Sequence, residues 1–257
     1  MKCRKNTALL RIALSTATLA LLGQAAGAAP AAVPPPFTAT YEVTFRGLRG
    51  GTLNMQLKRG EQPGRYIFET HANPTTLARL FISSDAMERS VLETTDTGTR
   101  PLSWVADDGK SSKKGDGKLQ FDWPAQRVTG EIEGKPVSLP TEAGLQDRMS
   151  IQVGVISQLL QGKEPGTIAM IDDERIKHYT YTRSGTTQLD TELGSYDAVI
   201  YESTRPGSSR VSRVWHAPSL DYVPVRMEQV RKGKVETVMT LIELKRGEET
   251  GSDGVMK

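Results

Sequence analysis

Cysteine is almost missing from this 257-residue chain: there is one, Cys3. Histidine is scarce too, with three, and no apolar run reaches the roughly 20 residues a helix needs to cross a bilayer. Each shortage removes a class of function. One cysteine cannot build a disulfide framework. His71, His178 and His216 have no second His or Cys at ligand spacing, so the local patterns of a zinc site are missing. There is no Walker-type phosphate loop, no dinucleotide glycine fingerprint and no Gly-x-Ser-x-Gly elbow. The sequence therefore nominates no catalytic residue, no metal ligand and no cofactor.

What is present begins with an address. Met1-Lys2-Cys3-Arg4-Lys5 is basic, an apolar stretch runs from Ile12 to Leu22, and Ala26-Gly27-Ala28 fits the small-x-small pattern of a signal peptidase site. Residues 1–28 read as a cleavable signal peptide cut after Ala28, and the expected location is the periplasm. Cys3 lies ahead of the apolar run and so is not an acylated lipoprotein cysteine. Cleavage would change the charge. The signal holds four of the 33 basic residues (Lys2, Arg4, Lys5, Arg11) and none of the 30 acidic ones. The mature chain keeps 29 basic against 30 acidic groups, net −1, where the whole chain is +3. Nucleic acid is not an indicated partner. The mature protein is expected to have no thiol and no transmembrane segment.

Residues 29–36 form a Pro/Ala linker, expected to be extended and mobile. From residue 37 the chain alternates: Phe37, Ala39, Tyr41, Val43 and Phe45 on one face, Thr38, Thr40, Glu42, Thr44 and Arg46 on the other. A period of two marks a half-buried strand. Residues 47–51 turn the chain, and strands are expected at 52–58 and 65–71. Asn73-Pro74 is expected to break the ladder, with a short helix at 75–82. Strands resume at 87–94, 99–106, 118–123, 127–133 and 136–139, with a polar loop at 107–117. A helix is expected at 147–161, where Ile151, Val155 and Leu159 recur at helical spacing, Asp147 stands as N-cap and Gly162 stops it. Apolar over much of its girth, it should be largely buried. Further strands follow at 167–171, 175–183, 186–193, 196–203, 210–216, 224–231 and 234–244. Residues 246–257 read as a disordered tail, and 37–245 as a single β-rich domain.

Several short motifs resemble one family. They are Phe121-Asp122-Trp123, Val137-Ser138-Leu139-Pro140, Gln146-Asp147-Arg148-Met149-Ser150, Leu189-Asp190-Thr191-Glu192-Leu193-Gly194, Trp215-His216-Ala217-Pro218 and Val223-Pro224-Val225-Arg226. Together they resemble an uncharacterised exported bacterial family, domain of unknown function 3108, over most of 37–245. Where that family usually has Asp-Pro-Leu-Ser, this chain has Asp147-Arg148-Met149-Ser150. The resemblance implies a periplasmic, mainly β fold: a curved antiparallel sheet, open or half barrel as in lipoprotein carriers, with one buried helix at about 147–161. It implies no established reaction. Asp122, Trp123, Asp147, Ser150, Trp215 and Pro224 are its structural motif positions.

Large apolar side chains recur on the strands: Tyr41, Phe45, Met55, Phe68, Trp104 and Phe121. They are either plain core or the wall of an apolar pocket inside the curved sheet. Asp172-Asp173-Glu174 reads as a solvated turn. Lys110, Lys113, Lys114 and Lys118 read as a hydrated loop that could also touch anionic lipid headgroups. The functional expectation is a non-enzymatic periplasmic protein that binds a lipid or other apolar ligand in cell-envelope biogenesis. A structural or interaction module docking an envelope protein is the alternative. A hydrolase using Asp147, Ser150 or a histidine is a third reading, and it requires those groups to converge.

Overall fold

The structure is a computed structural model that describes residues 32–80 and 82–247. The expected signal peptide and most of the expected tail lie outside the described residues.

Fourteen strands form one antiparallel sheet. The first eight are β1 (Phe37–Phe45), β2 (Leu48–Arg59), β3 (Arg65–Pro74), β4 (Met87–Thr94), β5 (Thr99–Asp107), β6 (Gly117–Asp122), β7 (Arg127–Ile132) and β8 (Lys135–Pro140). A helix, α1 (Ser150–Leu160), follows. The chain returns through β9 (Gly166–Asp172), β10 (Arg175–Thr191), β11 (Gly194–Thr204), β12 (Arg210–His216), β13 (Pro224–Arg231) and β14 (Lys234–Arg246). Except for β8 and β9, each strand pairs with its sequence neighbours, and β1 also pairs with β14. Only a β8–β9 pairing is missing from a closed ring, and the chain leaves the sheet there to make α1.

Turn chemistry explains much of this meander. Arg46-Gly47, Glu133-Gly134 and Lys232-Gly233 each link two strands with two residues, and all six have positive φ. Their twist suits a tight hairpin, and glycine in the second place adopts it without steric cost.

The sheet wraps its own core. Buried side chains from both halves, among them Tyr41, Leu57, Leu119, Val137, Val225 and Leu241, make one continuous cluster that Met149 and Val153 join. The opposite side of α1 places Ile151, Val155 and Leu159 against Ile168 and Tyr201. The helix is therefore apolar on two faces because the sheet embraces it on both.

Several expectations need correction. The turn expected at 47–51 is only Arg46-Gly47, and β2 already begins at Leu48. β3 runs on through Pro74, which sits opposite Gly51; as the strand's last residue it ends the ladder where a missing N–H costs least. The helix expected at 75–82 shrinks to one 3-10 turn, Ala78–Leu80, with Leu77 and Leu80 exposed. Residues 175–191 are one strand, since Ser184-Gly185 makes a bulge against β11 instead of a turn. Arg246 belongs to β14 and pairs with Asp221. Of the Pro/Ala segment, Pro34 and Pro36 are buried, and the Ala32 carbonyl accepts a hydrogen bond from Ser157 of α1 at 2.5 Å.

Candidate functional site at the open edge of the sheet

The stretch between β8 and α1 fills part of the gap left by the missing strand pairing. Gly144, at φ 73°, turns the chain back toward β9. Gln146 then makes a parallel bridge: its N–H donates to the Ala169 carbonyl, and its carbonyl accepts from the Ile171 N–H, both at 2.9 Å. Farther along the opening, Lys135 of β8 donates to Glu174 at 2.6 Å, tying the β7–β8 turn to the β9–β10 turn. That contact raises the Lys135 pKa and lowers that of Glu174, each through their shared hydrogen bond first.

The bridge covers β9 only in part. Ala169 and Ile171 turn their backbone groups toward Gln146, so by the period of two Thr167 faces the same way. Beside it lies a cleft of about 120 Å³, bordered by Thr97, Thr99, Gly144, Gly154, Gln158 and Thr167. Gln146 enters its wall. The side-chain N–H₂ donates to the carbonyls of Thr99, at 2.8 Å, and Gly144, at 3.3 Å. Its Oε1 has no partner among the described residues, and neither has Thr99 Oγ1. Gln146 is only 4% exposed and Thr99 only 6%, so neither is openly solvated. An unsatisfied buried polar atom costs about 1–3 kcal/mol, and two border the same space. Gly154 keeps that space open, because a Cβ there would stand 3.4 Å from Thr99 Oγ1 and 3.7 Å from Gln146 Oε1.

The cleft offers two groups free to hydrogen-bond. Gln146 Oε1 can only accept, whereas Thr99 Oγ1 can donate or accept. The matching group is a hydrogen-bond donor, N–H or O–H: a carboxamide, an ammonium, a guanidinium, a hydroxyl or water. The volume suits a few waters or one side-chain head, far below the roughly 300–1,000 Å³ of a drug-sized apolar pocket.

Just beyond Gln146, the start of α1 is locked into β4 and β5. Asp147 is buried and accepts from the amides of Met149 (2.7 Å) and Ser150 (2.8 Å) and from the Ser90 hydroxyl (2.7 Å). The Ser150 hydroxyl in turn accepts from the Asp147 amide at 2.9 Å. These bonds satisfy donors that the first turn leaves open. Burial pushes the Asp147 carboxyl up to about 6 despite the three hydrogen bonds. Glu88 accepts from Trp104 Nε1 at 2.7 Å and from Arg148 Nε at 3.1 Å, and the Arg148 guanidinium lies 4.9 Å from the Trp104 ring centre. No histidine is among the hydrogen-bond partners of Asp147 or Ser150.

Tyr41, Met55, Phe68, Trp104 and Phe121 are all buried in the main core cluster. A second cleft, about 20 Å³, touches Trp104 and Leu119. Neither cleft is bordered by Tyr41, Met55, Phe68 or Phe121. Phe45 is a correction. It is 49% exposed, because the last residue of β1 projects beyond the region that the core covers. Trp123 stacks on Phe121 and donates to the Pro101 carbonyl at 2.7 Å, while Asp122 accepts from the Ala125 amide at 2.9 Å. Pro224 offers its carbonyl to the Tyr41 hydroxyl at 2.9 Å, and the guanidinium groups of Arg213 and Arg226 lie 5.9 and 5.6 Å from the Trp215 ring centre.

The histidines sit apart, on β3, β10 and β12. His216 is buried, with Nδ1 2.8 Å from the Tyr222 carbonyl, and burial lowers its pKa to about 4. His178 contacts Glu142 at 2.7 Å. In the acidic turn, Lys177 holds both Asp172 and Asp173. Asp107, Asp108 and Asp116 bring one carboxylate oxygen each within 4.8 Å of the others. Sequence reasoning passed over that trio as part of a polar loop. No described helix is long and apolar enough to cross a membrane.

In sequence, one family model matches residues 40–240, that of a protein of unknown function, DUF3108. No curated protein matches the chain. Among solved structures, MucB in complex with MucA(peri) is similar over 87% of this chain and 54% of that one, at 11% identity and a TM-score of 0.32. The chain thus spans about half the length of MucB. A protein of Bacteroides fragilis, described as exported and of YmcC-like fold, is similar over 84% of this chain and 100% of its own, at 12% identity and a TM-score of 0.32. A protein of Parabacteroides distasonis described as a lipoprotein is similar over 83% of this chain and 97% of its own, at 12% identity and a TM-score of 0.34.

Proposed function

The chain belongs to the DUF3108 family of proteins of unknown function, and on that premise we propose a non-catalytic interaction module of the periplasm that receives an extended segment of an envelope protein beside β9. The observation that carries this reading is the pair of unpartnered buried atoms, Gln146 Oε1 and Thr99 Oγ1, in the cleft next to Thr167. An extended segment added to the free part of β9 gains main-chain hydrogen bonds, and one of its side chains can fill an adjoining cleft. A Gln, Asn, Lys or Arg side chain is one that supplies a donor to Gln146 Oε1. The signal-like residues 1–28 supply the export.

Binding of a lipid or other apolar ligand has less to rest on. It needs a larger and drier space than this 120 Å³ cleft, and of the side chains expected to line such a space Tyr41, Met55, Phe68, Trp104 and Phe121 are packed in the core while Phe45 is exposed at the end of β1. A photo-crosslinker placed at Gln158, on the rim of the cleft, tests the proposal in cells. A discrete heteromeric product is expected, and it should vanish when Gly154→Leu fills the cleft while the thermal unfolding transition persists. Crosslinking that yields only monomer would sink the reading. Lipid co-purifying with the mature protein in native mass spectrometry would shift support to the apolar-ligand reading.

A further inference from the structure

Three hairpin tips stand side by side at one end of the sheet. The Arg46 N–H donates to the Glu236 carbonyl at 2.7 Å, joining the β1–β2 tip to β14. The Lys232 N–H donates to the Ser209 carbonyl at 3.0 Å, joining the β13–β14 tip to the β11–β12 connection. The link between β3 and β4 lies at the same end, since the Thr75 N–H donates to the Gly50 carbonyl at 2.9 Å.

Two kinds of side chain collect there. The first is cationic. Arg210 is directly opposite Arg231, and Arg231 is directly opposite Lys234, with Lys232 in the turn between them. All four are exposed, and none forms an ion pair among the described residues. Like charges opposite one another destabilise a sheet, so this run disfavours the isolated fold. The local acid is Glu236, already paired with Arg46 at 2.8 Å. Its pKa is lowered by that hydrogen bond first and then by the fields of Arg46, Arg231 and Arg210.

The second kind is apolar. Phe45 and Leu48 face each other across the β1–β2 turn at 49% and 68% exposure, and Val235 is exposed nearby. In the β3–β4 connection Leu77 is 67% and Leu80 73% exposed, with Arg79 between them in sequence. Phe45 continues the apolar face of Tyr41 past the end of the core, so this end has an apolar lip beside a basic rim.

We propose that this end of the sheet docks on the surface of an anionic lipid bilayer. Cations there meet the negative surface potential of the headgroups, while aromatic and leucine side chains on short turns enter the boundary with the acyl chains. A purely acidic protein surface would explain the cations and leave the leucines in water. The docking surface is separate from the cleft at β9, so it stands or falls independently of the partner proposed above.

Co-sedimentation of the mature chain with vesicles tests it. One set is phosphatidylcholine alone, and the other is phosphatidylcholine with an equal part of phosphatidylglycerol. Binding to the anionic set only is expected, weakening as salt rises. Each lost cation should weaken it about fivefold, so the triple variant Arg231→Ser, Lys232→Ser, Lys234→Ser should lose roughly a hundredfold. Leu77→Ser with Leu80→Ser should also weaken binding while leaving its salt dependence unchanged. Both variants alter exposed positions, and an unchanged melting transition shows that they remain folded. No binding to anionic vesicles, or binding that neither variant weakens, overturns the proposal. So does polyglutamate binding as tight as vesicle binding, because an apolar lip adds nothing toward a soluble polyanion.

Discussion

Ser90 of β4 donates its hydroxyl to Asp147, 57 residues later, at 2.7 Å, and both side chains are buried. The carboxylate is held by three donors, yet burial still raises its pKa to about 6. Folding thus makes Asp147 easier to protonate than in the unfolded chain, whose reference value is 3.8. This contribution is greatest below pH 4 and is lost as pH rises through about 6, a change on the order of 3 kcal/mol. Asp147→Asn keeps an oxygen for the two amides and offers Ser90 an N–H. The variant should be as stable as the parent at pH 7 or more so, by about 1–3 kcal/mol. Asp147→Ala strips the cap and should cost about 2 kcal/mol or more. Urea midpoints at pH 7 distinguish the two.

His216 carries the opposite slope. Its folded pKa of about 4 lies below the reference 6.5 because burial penalises the charged ring. The unfolded chain binds the proton first, so stability is full above pH 6.5 and falls as pH drops toward 4. Between pH 4 and 6 the two buried groups nearly cancel. Urea midpoints of the parent should therefore vary little across that window from these two residues. His216→Gln should become more stable on acidification, and Asp147→Asn less stable. Parallel slopes in the two variants would refute this balance.

The Tyr41 hydroxyl reaches the Pro224 carbonyl from β1 across β14 to β13. Tyr41→Phe leaves that buried carbonyl without its partner. A loss of about 1–3 kcal/mol in chemical unfolding is expected with the fold unchanged.

Gly117 passes beneath Trp104, and a Cβ there would lie 2.5 Å from the indole ring. Gly117→Ala should force the ring aside and cost about 1–3 kcal/mol. A change in tryptophan emission should accompany the loss, since Trp104 would shift against Glu88.

Much of the sheet was legible because its signals are local. Alternation marked β1, and the gaps left between the strands expected at 127–133 and 136–139 and at 224–231 and 234–244 fall at the Glu133-Gly134 and Lys232-Gly233 turns. Ser184-Gly185 misled because the same dipeptide that starts a turn can also form a bulge within a continuing strand. Phe45 misled because periodicity gives the face of a residue but not where the cover over that face ends. The cleft was hidden for another reason. Thr99 and Gln146 are 47 residues apart, the motif that contains Gln146 says nothing of Thr99, and their unpartnered atoms meet only in the folded chain. One signal was available: Gly154 places a bare position in a helix that is otherwise apolar nearly all round.

The pairing of β1 with β14 brings Phe37 opposite Arg246, and the Gly247 N–H donates to the Pro36 carbonyl at 2.8 Å. If residues 1–28 direct export, this sets an order of events. A polypeptide threading outward N-terminus first delivers β1 early, yet β1 must wait for the last strand before its second edge is covered. Until then Tyr41 lacks Pro224, and an unpaired strand edge faces its surroundings, open to wrong partners. Completion of the fold is therefore timed by release of the C-terminal end, and the interval between the two is when a chaperone would have most to protect.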